Sequence, residues 1–312
     1  MGALSNAFDT FGASGIREDL ADFITTISPE ETPFVSSIGT TKCGQRQHTW
    51  QTDTLAAAGA NAVLEAEAYA AAARTPTSTM TNNVQHFVKQ FMITDVADVV
   101  NTAGRAKESA YHLVKAGKEL KRDFEFSQFT NASAASGSAG TAAAAPKMTN
   151  LSYYVTNVTG NTGYSGVIRT GQTEMCATAL TVITEGCFNL ILQDIWDEGG
   201  RPNAVYVGGL NKRLISGWGT SASRVWDGAK KITNAVDVYE SDFGVLQLKL
   251  DRYCFSAFGY ILDESLWKRA ELHPTRRVEI GRTGLGTPFM LHSAWTLEAR
   301  NPTGNGFFST GA

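Results

Sequence analysis

Histidine, cysteine and carboxylate residues, which form most catalytic and metal sites, are present in this chain, but they do not occur at the spacings typical of such sites. Its histidines are His48, His86, His112, His273 and His292. They lie far apart along the chain, and none has a second His or a Cys at the short spacing of metal ligands. Structural roles are therefore favoured over a metal site.

Carboxylates occur in small groups that could act as an acid and base pair. Asp194, Asp197 and Glu198 form the acidic end of a predicted helix, and Asp242 lies beside Glu240 in a predicted turn. Such pairs catalyse reactions only in a cleft that shifts their pKa values. Solvated faces are the simpler interpretation for both groups.

Sequence motifs of common enzymes are missing. The chain has no GxxxxGK[ST] phosphate loop, no HExxH zinc helix and no GxSxG nucleophile elbow. Gly281, Gly284 and Gly286 form a GxxGxG pattern, but a strand pattern follows it where a phosphate-binding helix would have to begin. This segment is predicted to be a turn. We predict no catalytic, cofactor or metal site, and hence no enzyme.

Composition sets broader limits. The 312 residues fit two lobes or one large mixed domain. A formal charge of -3 predicts at most weak contact with nucleic acid, because strong binding needs clustered Lys and Arg. No signal peptide and no long apolar run is found, which predicts a soluble protein without a membrane partner. Four cysteines without a CxxC pair predict buried free thiols in a reducing compartment: Cys43, Cys176, Cys187 and Cys254.

The N-terminal region predicts a helix followed by an arm. Apolar residues recur at helical spacing over 19–27, and Pro29 and Pro33 are expected to end that helix. Residues 28–39 should then leave as an extended arm. This arm carries the apolar residues Phe34, Val35 and Ile38, which must be covered by its own fold or by another subunit.

A hairpin and a long helix are predicted next. Residues 48–52 and 83–91 are expected to be the two legs of a projecting hairpin with an alanine-rich tip. A helix over about 103–131 has one apolar stripe and a charged remaining surface, on which Lys121 and Glu125 form a predicted exposed pair. A helix of this length spans roughly 40 Å.

The rest of the chain predicts a mixed lobe. Residues 132–170 are glycine- and alanine-rich and are predicted to be an exposed, flexible insertion. A helix over 178–197, a strand over 203–207, a short helix over 210–218 and a hairpin around 240–244 follow. Strands separated by glycine turns end the chain. The fold class is therefore α+β.

Four long phrases carry a family resemblance: DLADFITTISPEETPFVSSIGT, AGRAKESAYHLVKAGKELKRDFE, PNAVYVGGLNKRLISGW and RVEIGRTGLGTPFMLHSAWTLEARNPTGNGFF. They resemble the podovirus-type major head protein family of tailed bacteriophages, which has the Hong Kong 97-type major capsid fold. The resemblance implies an N-terminal arm at 1–46, an extended loop at 47–90 and a peripheral domain with a spine helix at 91–131. It implies an axial domain at 171–275, beyond the insertion at 132–170, and strands returning to the peripheral domain at 276–312.

The resemblance also implies a function. Such proteins assemble as hexamers and pentamers into an icosahedral virion shell, in the host cytoplasm, around double-stranded DNA that they contact weakly and non-specifically. Separate scaffolding and portal proteins are implied partners, and a decoration protein is a further candidate. The candidate subunit-interface residues are Phe23, Phe34, Trp50 and Arg74.

One departure from the family concerns covalent joining. Some shells of this fold are cross-linked through a lysine of the extended loop, but no lysine occurs between Gln47 and Val88, where Arg74 is the only Lys or Arg. We therefore predict non-covalent joining. Two alternatives to a viral shell remain at this point: the shell of a bacterial nanocompartment, and a soluble enzyme with a β-rich lobe.

Overall fold

The computed structural model describes residues 28–56, 58–60, 62, 65, 74–100, 102–129, 137–157, 162–164, 183–218, 237–256, 258–282 and 284–309. The predicted helix over 19–27, with Phe23, lies outside these residues. The helices are α1 (Pro33–Ser37), α2 (Asp95–Val99), α3 (Glu108–Phe129), α4 (Leu151–Asn157), α5 (Glu185–Asp197) and α6 (Gly209–Ser216). The strands are β1 (Gly39–Lys42), β2 (Gln47–Thr52), β3 (Ser78–Asn83), β4 (Gln85–Thr94), β5 (Thr162–Tyr164), β6 (Ala204–Val207), β7 (Val238–Ser241), β8 (Gly244–Leu250), β9 (Phe258–Leu262), β10 (Trp267–Glu279), β11 (Gly286–Ala299) and β12 (Gly306–Ser309).

A four-stranded sheet and the long helix α3 form one half of the fold. The strand order is β1-β10-β11-β4, with β1 parallel to β10 and the other neighbours antiparallel. Phe124 of α3 packs edge-on against Phe87 of β4 and Trp295 of β11, at ring separations of 5.8 and 5.7 Å. The predicted spine helix is thus confirmed, and it covers one face of this sheet.

A six-stranded mixed sheet forms the other half, in the order β5-β12-β9-β6-β8-β7. All four residues of β6 are buried, as expected for a central strand, and the strand predicted over 203–207 is confirmed. Helix α5 packs on this sheet through an apolar face that includes Phe188 and Ile191, and it ends before Gly199, whose φ of 82° suits a glycine. The hairpin predicted around 240–244 is β7 and β8.

The C-terminal part divides at other places than predicted. Strand β10 already joins the four-stranded sheet at Trp267, ahead of the boundary expected after residue 275. This strand contains Pro274, which has no N–H to donate to a neighbouring strand. Its pairing with β11 shifts register between Glu271 and His273 and again between His273 and Arg276. Strand β12 pairs with β9 in the six-stranded sheet, so the final strand does not join the four-stranded sheet.

The projecting hairpin has a different second leg from the one predicted. Strand β2 pairs with β3, in register from Gln47 opposite Asn83 to Thr52 opposite Ser78. Strand β4, predicted as that leg, pairs instead with β11 over ten residues. The chain changes sheets at the fully buried Val84. Just before it, the Asn82 side chain donates to the Leu297 carbonyl and accepts from the Thr149 N–H.

Part of the predicted insertion belongs to the core. Helix α4 buries Leu151, Tyr154 and Val155, and strand β5 pairs with β12 in parallel. The exposed, flexible insertion predicted over 132–170 is therefore wrong for these segments. The spacing i, i+3 and i+4 of the three buried residues is a helical core signal that the turn-rich neighbourhood masked.

Two smaller predictions also fail. The arm over 28–39 is not extended throughout, because Pro33 begins the five-residue helix α1. Proline suits the first position of a helix, since that N–H has no partner within the helix. Cys187 is disulfide-bonded, so the prediction of a free thiol is wrong for this residue. Cys43 and Cys254 are free and buried, as predicted.

Candidate functional site

The first turn of the arm is docked in its own subunit. The ring of Phe34 packs edge-on against Phe129 of α3 at 5.3 Å and against Tyr206 of β6 at 5.6 Å, and its exposed fraction is 0%. Burying such a side chain contributes about 1.5–3 kcal/mol to folding. Phe34, predicted as a subunit-interface residue, therefore lies in the core of its own chain and has no surface that a neighbour could reach.

A buried carboxyl group caps this turn. The backbone N–H groups of Phe34 and Val35 donate to Oε1 and Oε2 of Glu125, each at 2.7 Å. The first N–H groups of a helix have no acceptor within the helix. Here the side chain of Glu125, 90 residues away from Val35, supplies the acceptors. Glu125 is fully buried, and its predicted exposed pair with Lys121 is wrong. Charge alternation on α3 gave no sign of this role.

A second buried carboxyl group lies against the first. Oδ1 of Asp251, at the end of β8, accepts a hydrogen bond of 2.7 Å from the N–H of Tyr253. Burial and the neighbouring Asp251 raise the pKa of Glu125 to about 9. Burial also raises the pKa of Asp251, although the hydrogen bond from Glu125 opposes this change. Both shifts favour a protonated carboxyl group within this pair.

A hydroxyl chain fixes the end of the same turn. Ser37 Oγ and Tyr206 Oη lie 2.6 Å apart, and Tyr206 donates to Oε1 of Glu264. Lys249 Nζ donates to the same Glu264 oxygen at 2.6 Å. Because the Tyr206 proton goes to the carboxylate, the single proton of the Ser37 hydroxyl serves either Tyr206 Oη or the carbonyl of Phe34, which lies 2.9 Å from Ser37 Oγ. Burial raises the pKa of Tyr206, so its hydroxyl stays neutral and keeps this proton.

Two ion pairs hold the chain just before this turn. Lys118 Nζ lies 2.6 Å from Glu30 Oε2, and Arg252 Nε lies 3.9 Å from Glu31 Oε2. All four side chains are substantially exposed, so each pair contributes only about 0–1 kcal/mol. We call residues 30–37 with these partners the arm dock. Its stability comes from the buried contacts of Phe34 and Glu125.

The base of the β2–β3 hairpin is also fixed to its own chain. Trp50 Nε1 donates to the carbonyl of Ala299 at 2.8 Å, and the half-buried ring packs against Tyr154. His48 Nε2 lies 3.0 Å from Glu298 Oε2, and this hydrogen bond holds the pKa of Glu298 below its usual value. Trp50, predicted at a subunit interface, thus has a demonstrated role in attaching the hairpin.

The far end of the hairpin is exposed. Leu55 has an exposed fraction of 98%, and Arg74, another predicted interface residue, is exposed as well. Every described residue over 53–77 is exposed, whereas β2 alternates between exposed and half-buried residues. This tip could contact another molecule without any change in the body of the subunit.

Sequence reasoning missed a second exposed region. Large apolar side chains remain in solvent on β4, on and just after α2, and in the turn between β10 and β11. These distal apolar residues are Val88, Met92, Val96, Val99, Val100 and Leu285. The strict alternation of β4 could have indicated its outer face, but only the pairing of β4 with β11 shows that no described element covers Val88 and Met92.

Three histidines that are far apart in sequence meet on the four-stranded sheet. His86 Nδ1 lies 3.1 Å from His292 Nε2, and the His273 ring lies 6.0 Å from that of His292. Burial, followed by the charges of His86 and Arg276, lowers the pKa of His292. The wide spacing of these three histidines along the chain thus does not keep them apart in the fold. In the described parts of the chain, no group of three or more His, Cys, Asp or Glu residues could hold a metal ion.

The acidic helix end of the sequence prediction is only partly solvated. Asp197 and Glu198 are exposed, but Asp194 is buried on the face of α5 that packs on the six-stranded sheet. Gly284 has a φ of 65°, which agrees with the turn predicted for the GxxGxG segment. Within the described residues, no helix is long and apolar enough to cross a membrane.

Comparison with protein families gives a match over nearly the whole chain. Residues 4–311 match the model of the SU10 major capsid protein family. The chain is 24% identical to the major capsid protein of Escherichia phage Phieco32, over 98% of this chain and 97% of that protein.

Solved structures show the same fold. The capsid of a native GTA particle has a TM-score of 0.69 at 10% identity, covering 99% of this chain and 100% of that one. The cyanophage A-1(L) capsid has a TM-score of 0.65 at 11% identity, covering 99% of each chain. The fold is therefore of the Hong Kong 97 type, as predicted, and these matches favour a phage capsid over a nanocompartment or an enzyme.

Proposed function

The chain belongs to the SU10 major capsid protein family, and from this membership we propose that many copies assemble as hexamers and pentamers into an icosahedral shell that encloses double-stranded DNA. A phage capsid protein is a structural shell protein, and its task is to present surfaces to other copies. The observation that carries the proposal is the apolar surface exposed at the distal end of the four-stranded sheet.

The distal apolar residues are suited to an interface between copies. Met92 and Val96 have exposed fractions of 61% and 67%, and Val99 reaches 85%. Soluble monomers rarely expose several large apolar side chains on neighbouring elements, and such surfaces commonly mark contacts with other proteins. Covering them in a shell removes apolar area from water, which stabilises the assembled form by about 25 cal/mol per Å².

The hairpin tip is the second proposed contact. Its base is attached through Trp50, while Leu55 and Arg74 extend into solvent. We propose that the tip lies on a neighbouring copy and is held without covalent bonds, because the segment from Gln47 to Val88 contains no lysine. Purified shells should then release only single chains on denaturing gels, and persistent high-mass ladders would contradict non-covalent joining.

The remaining partners follow from a shell role and the charge of the chain. A net charge of -3 supports weak, non-specific contact with the enclosed DNA. Separate scaffolding and portal proteins, assembly in the host cytoplasm, and the absence of catalysis belong to the same proposal. A decoration protein could bind the outside of the assembled shell.

Electron microscopy of the purified chain tests the proposal. Wild-type protein is expected to form closed shells of uniform size, tens of nanometres across. The double variant Val96→Asp and Val99→Asp should remain folded but unassembled, because it places charge on an apolar contact. The matched variant Val96→Thr and Val99→Thr keeps the shape without the charge and should still assemble. Closed shells from the Asp variant would show that this surface is not an interface.

A further inference from the structure

Glu125 and Asp251 are two carboxyl groups buried against each other, with exposed fractions of 0% and 1%. Both oxygens of Glu125 accept backbone N–H groups, and Oδ1 of Asp251 accepts the N–H of Tyr253. Oδ2 of Asp251 is buried and receives no hydrogen bond from any donor in the described residues. Two ionised carboxylates in contact repel each other, and burial increases the cost of both charges.

One proton resolves this arrangement. A protonated carboxyl group donates one hydrogen bond and still has lone pairs for acceptance on both oxygens. A proton on Glu125 therefore gives Asp251 Oδ2 a donor, while the bonds from Phe34 and Val35 are retained. A proton on Asp251 would instead leave Glu125 ionised, although burial and the adjacent carboxyl group oppose that charge more strongly than the N–H groups of Phe34 and Val35 favour it.

We propose that Glu125 and Asp251 share a single proton, and that this proton holds the first turn of the arm, at Phe34 and Val35, on the spine helix α3. Release of the arm uncovers Glu125, lets it ionise and gives up the proton. The arm dock therefore opens more readily as pH rises. The capping bonds act as a proton-dependent clamp on the N-terminal segment.

The groups around the pair come from several elements. From β6, Tyr206 lies near enough for Glu125 to raise its pKa. The Tyr206 hydroxyl is bonded to Glu264, which Lys249 of β8 neutralises. After β8, Arg252 lies at the surface with Glu31, and the buried Cys254 thiol faces Asp251. From the arm, Glu30 is paired with Lys118 of α3. Among the described residues, none of these pairings places a cation on Glu125 or Asp251, so the proton itself balances the charge.

The direction of the pH effect follows from proton linkage. The docked state keeps the proton on Glu125 up to a pKa of about 9, whereas a released Glu125 titrates near its ordinary 4.5. Docking is therefore strongest below pH 4.5 and weakens as the pH rises toward 9. Over this window, the equilibrium for arm opening should increase by up to about tenfold per pH unit.

Hydrogen exchange of the full-length chain between pH 5.5 and 8.5 tests the proposal. The protection factors of the Phe34 and Val35 amides, corrected for the intrinsic pH dependence of exchange, should fall steadily as pH rises. Asp251→Asn removes the neighbouring carboxyl group and supplies a donor to an ionised Glu125, so it should make the fall in protection with pH clearly shallower, although burial of Glu125 remains. Glu125→Gln removes the titrating group and should also abolish the slope, with lower protection because one backbone bond is lost.

Glu119→Gln is the matched control, since it makes the same substitution on α3 away from the dock. It should keep the wild-type slope. A wild-type protection factor that does not change with pH would overturn the proposal, even if no variant folds. An unchanged slope in Asp251→Asn would overturn it as well, because a purely structural pair would lose stability at all pH values alike.

Discussion

The arm dock and the hairpin tip are both segments that leave the body of the subunit, yet they are held in opposite ways. The arm dock buries Phe34 completely and satisfies its first N–H groups with a distant side chain. The described tip residues are exposed, and Leu55 has almost its whole surface in solvent. Apolar residues in a segment therefore do not by themselves show that the segment is a subunit interface. What matters is whether its own chain already covers them.

The β2–β3 hairpin itself has one end attached to the subunit and one end exposed. At its base, Trp50 and His48 are bonded to Ala299 and Glu298 of the body. Beyond the base, every described residue over 53–77 is exposed to solvent. The base sets the direction of the hairpin, and the tip is left for another molecule. Substitutions in the two regions should therefore separate stability from assembly.

Phe34→Ala should have the largest effect on stability. It removes a fully buried ring between Phe129 and Tyr206, and such truncations cost about 3–5 kcal/mol. Urea denaturation of the chain measures the change. Leu55→Ala is the control for the exposed region and should leave the midpoint nearly unchanged. Equal losses in the two variants would break the distinction between dock and tip.

Trp50→Phe should have an intermediate effect. It removes the hydrogen bond to the Ala299 carbonyl but keeps an aromatic ring, so we expect a loss of about 1 kcal/mol in the same denaturation experiment. Gln51→Ala, at the exposed neighbouring position, should cost far less. A neutral Trp50→Phe would mean that the base of the hairpin is not held by this bond.

Glu298→Gln should change the pH dependence of stability. Hydrogen bonding by His48 lowers the pKa of Glu298, so its contribution is present above the unfolded value near 4.5 and is lost as the pH falls through the lower folded value. Thermal unfolding between pH 3 and 7 should show a shallower acid-side decline in the variant. An identical decline in the two proteins would show that the ionised Glu298 does not stabilise the base of the hairpin.

Glu30→Gln should have the smallest effect. It breaks the exposed ion pair with Lys118, which is worth about 0–1 kcal/mol and is screened by salt. The denaturation midpoint should shift slightly at low salt, and the shift should vanish at 1 M salt. A large loss would show that surface charge, and not the buried contacts, holds the arm.

Local patterns predicted many of the elements. The spine helix, the buried strand β6, the β7–β8 hairpin and the alternation of β4 all follow from periodicity over a few residues. The same local reasoning failed for helix α4, whose three core residues lie in a turn-rich segment, and for the second leg of the hairpin. Strand pairing is a long-range property, and nothing within 83–91 distinguishes β2 from β11 as a partner.

Residue patterns established the α+β class and, through the four long phrases, the capsid family. The net charge of -3 also predicts at most weak contact with nucleic acid, because charge is a property of composition. The folded structure was needed to show that Phe34 belongs to its own core, that Glu125 caps a turn 90 residues away, and that no described element covers Val88 and Met92. Burial and hydrogen bonding depend on which distant segments meet, and residue spacing along one chain does not contain that information.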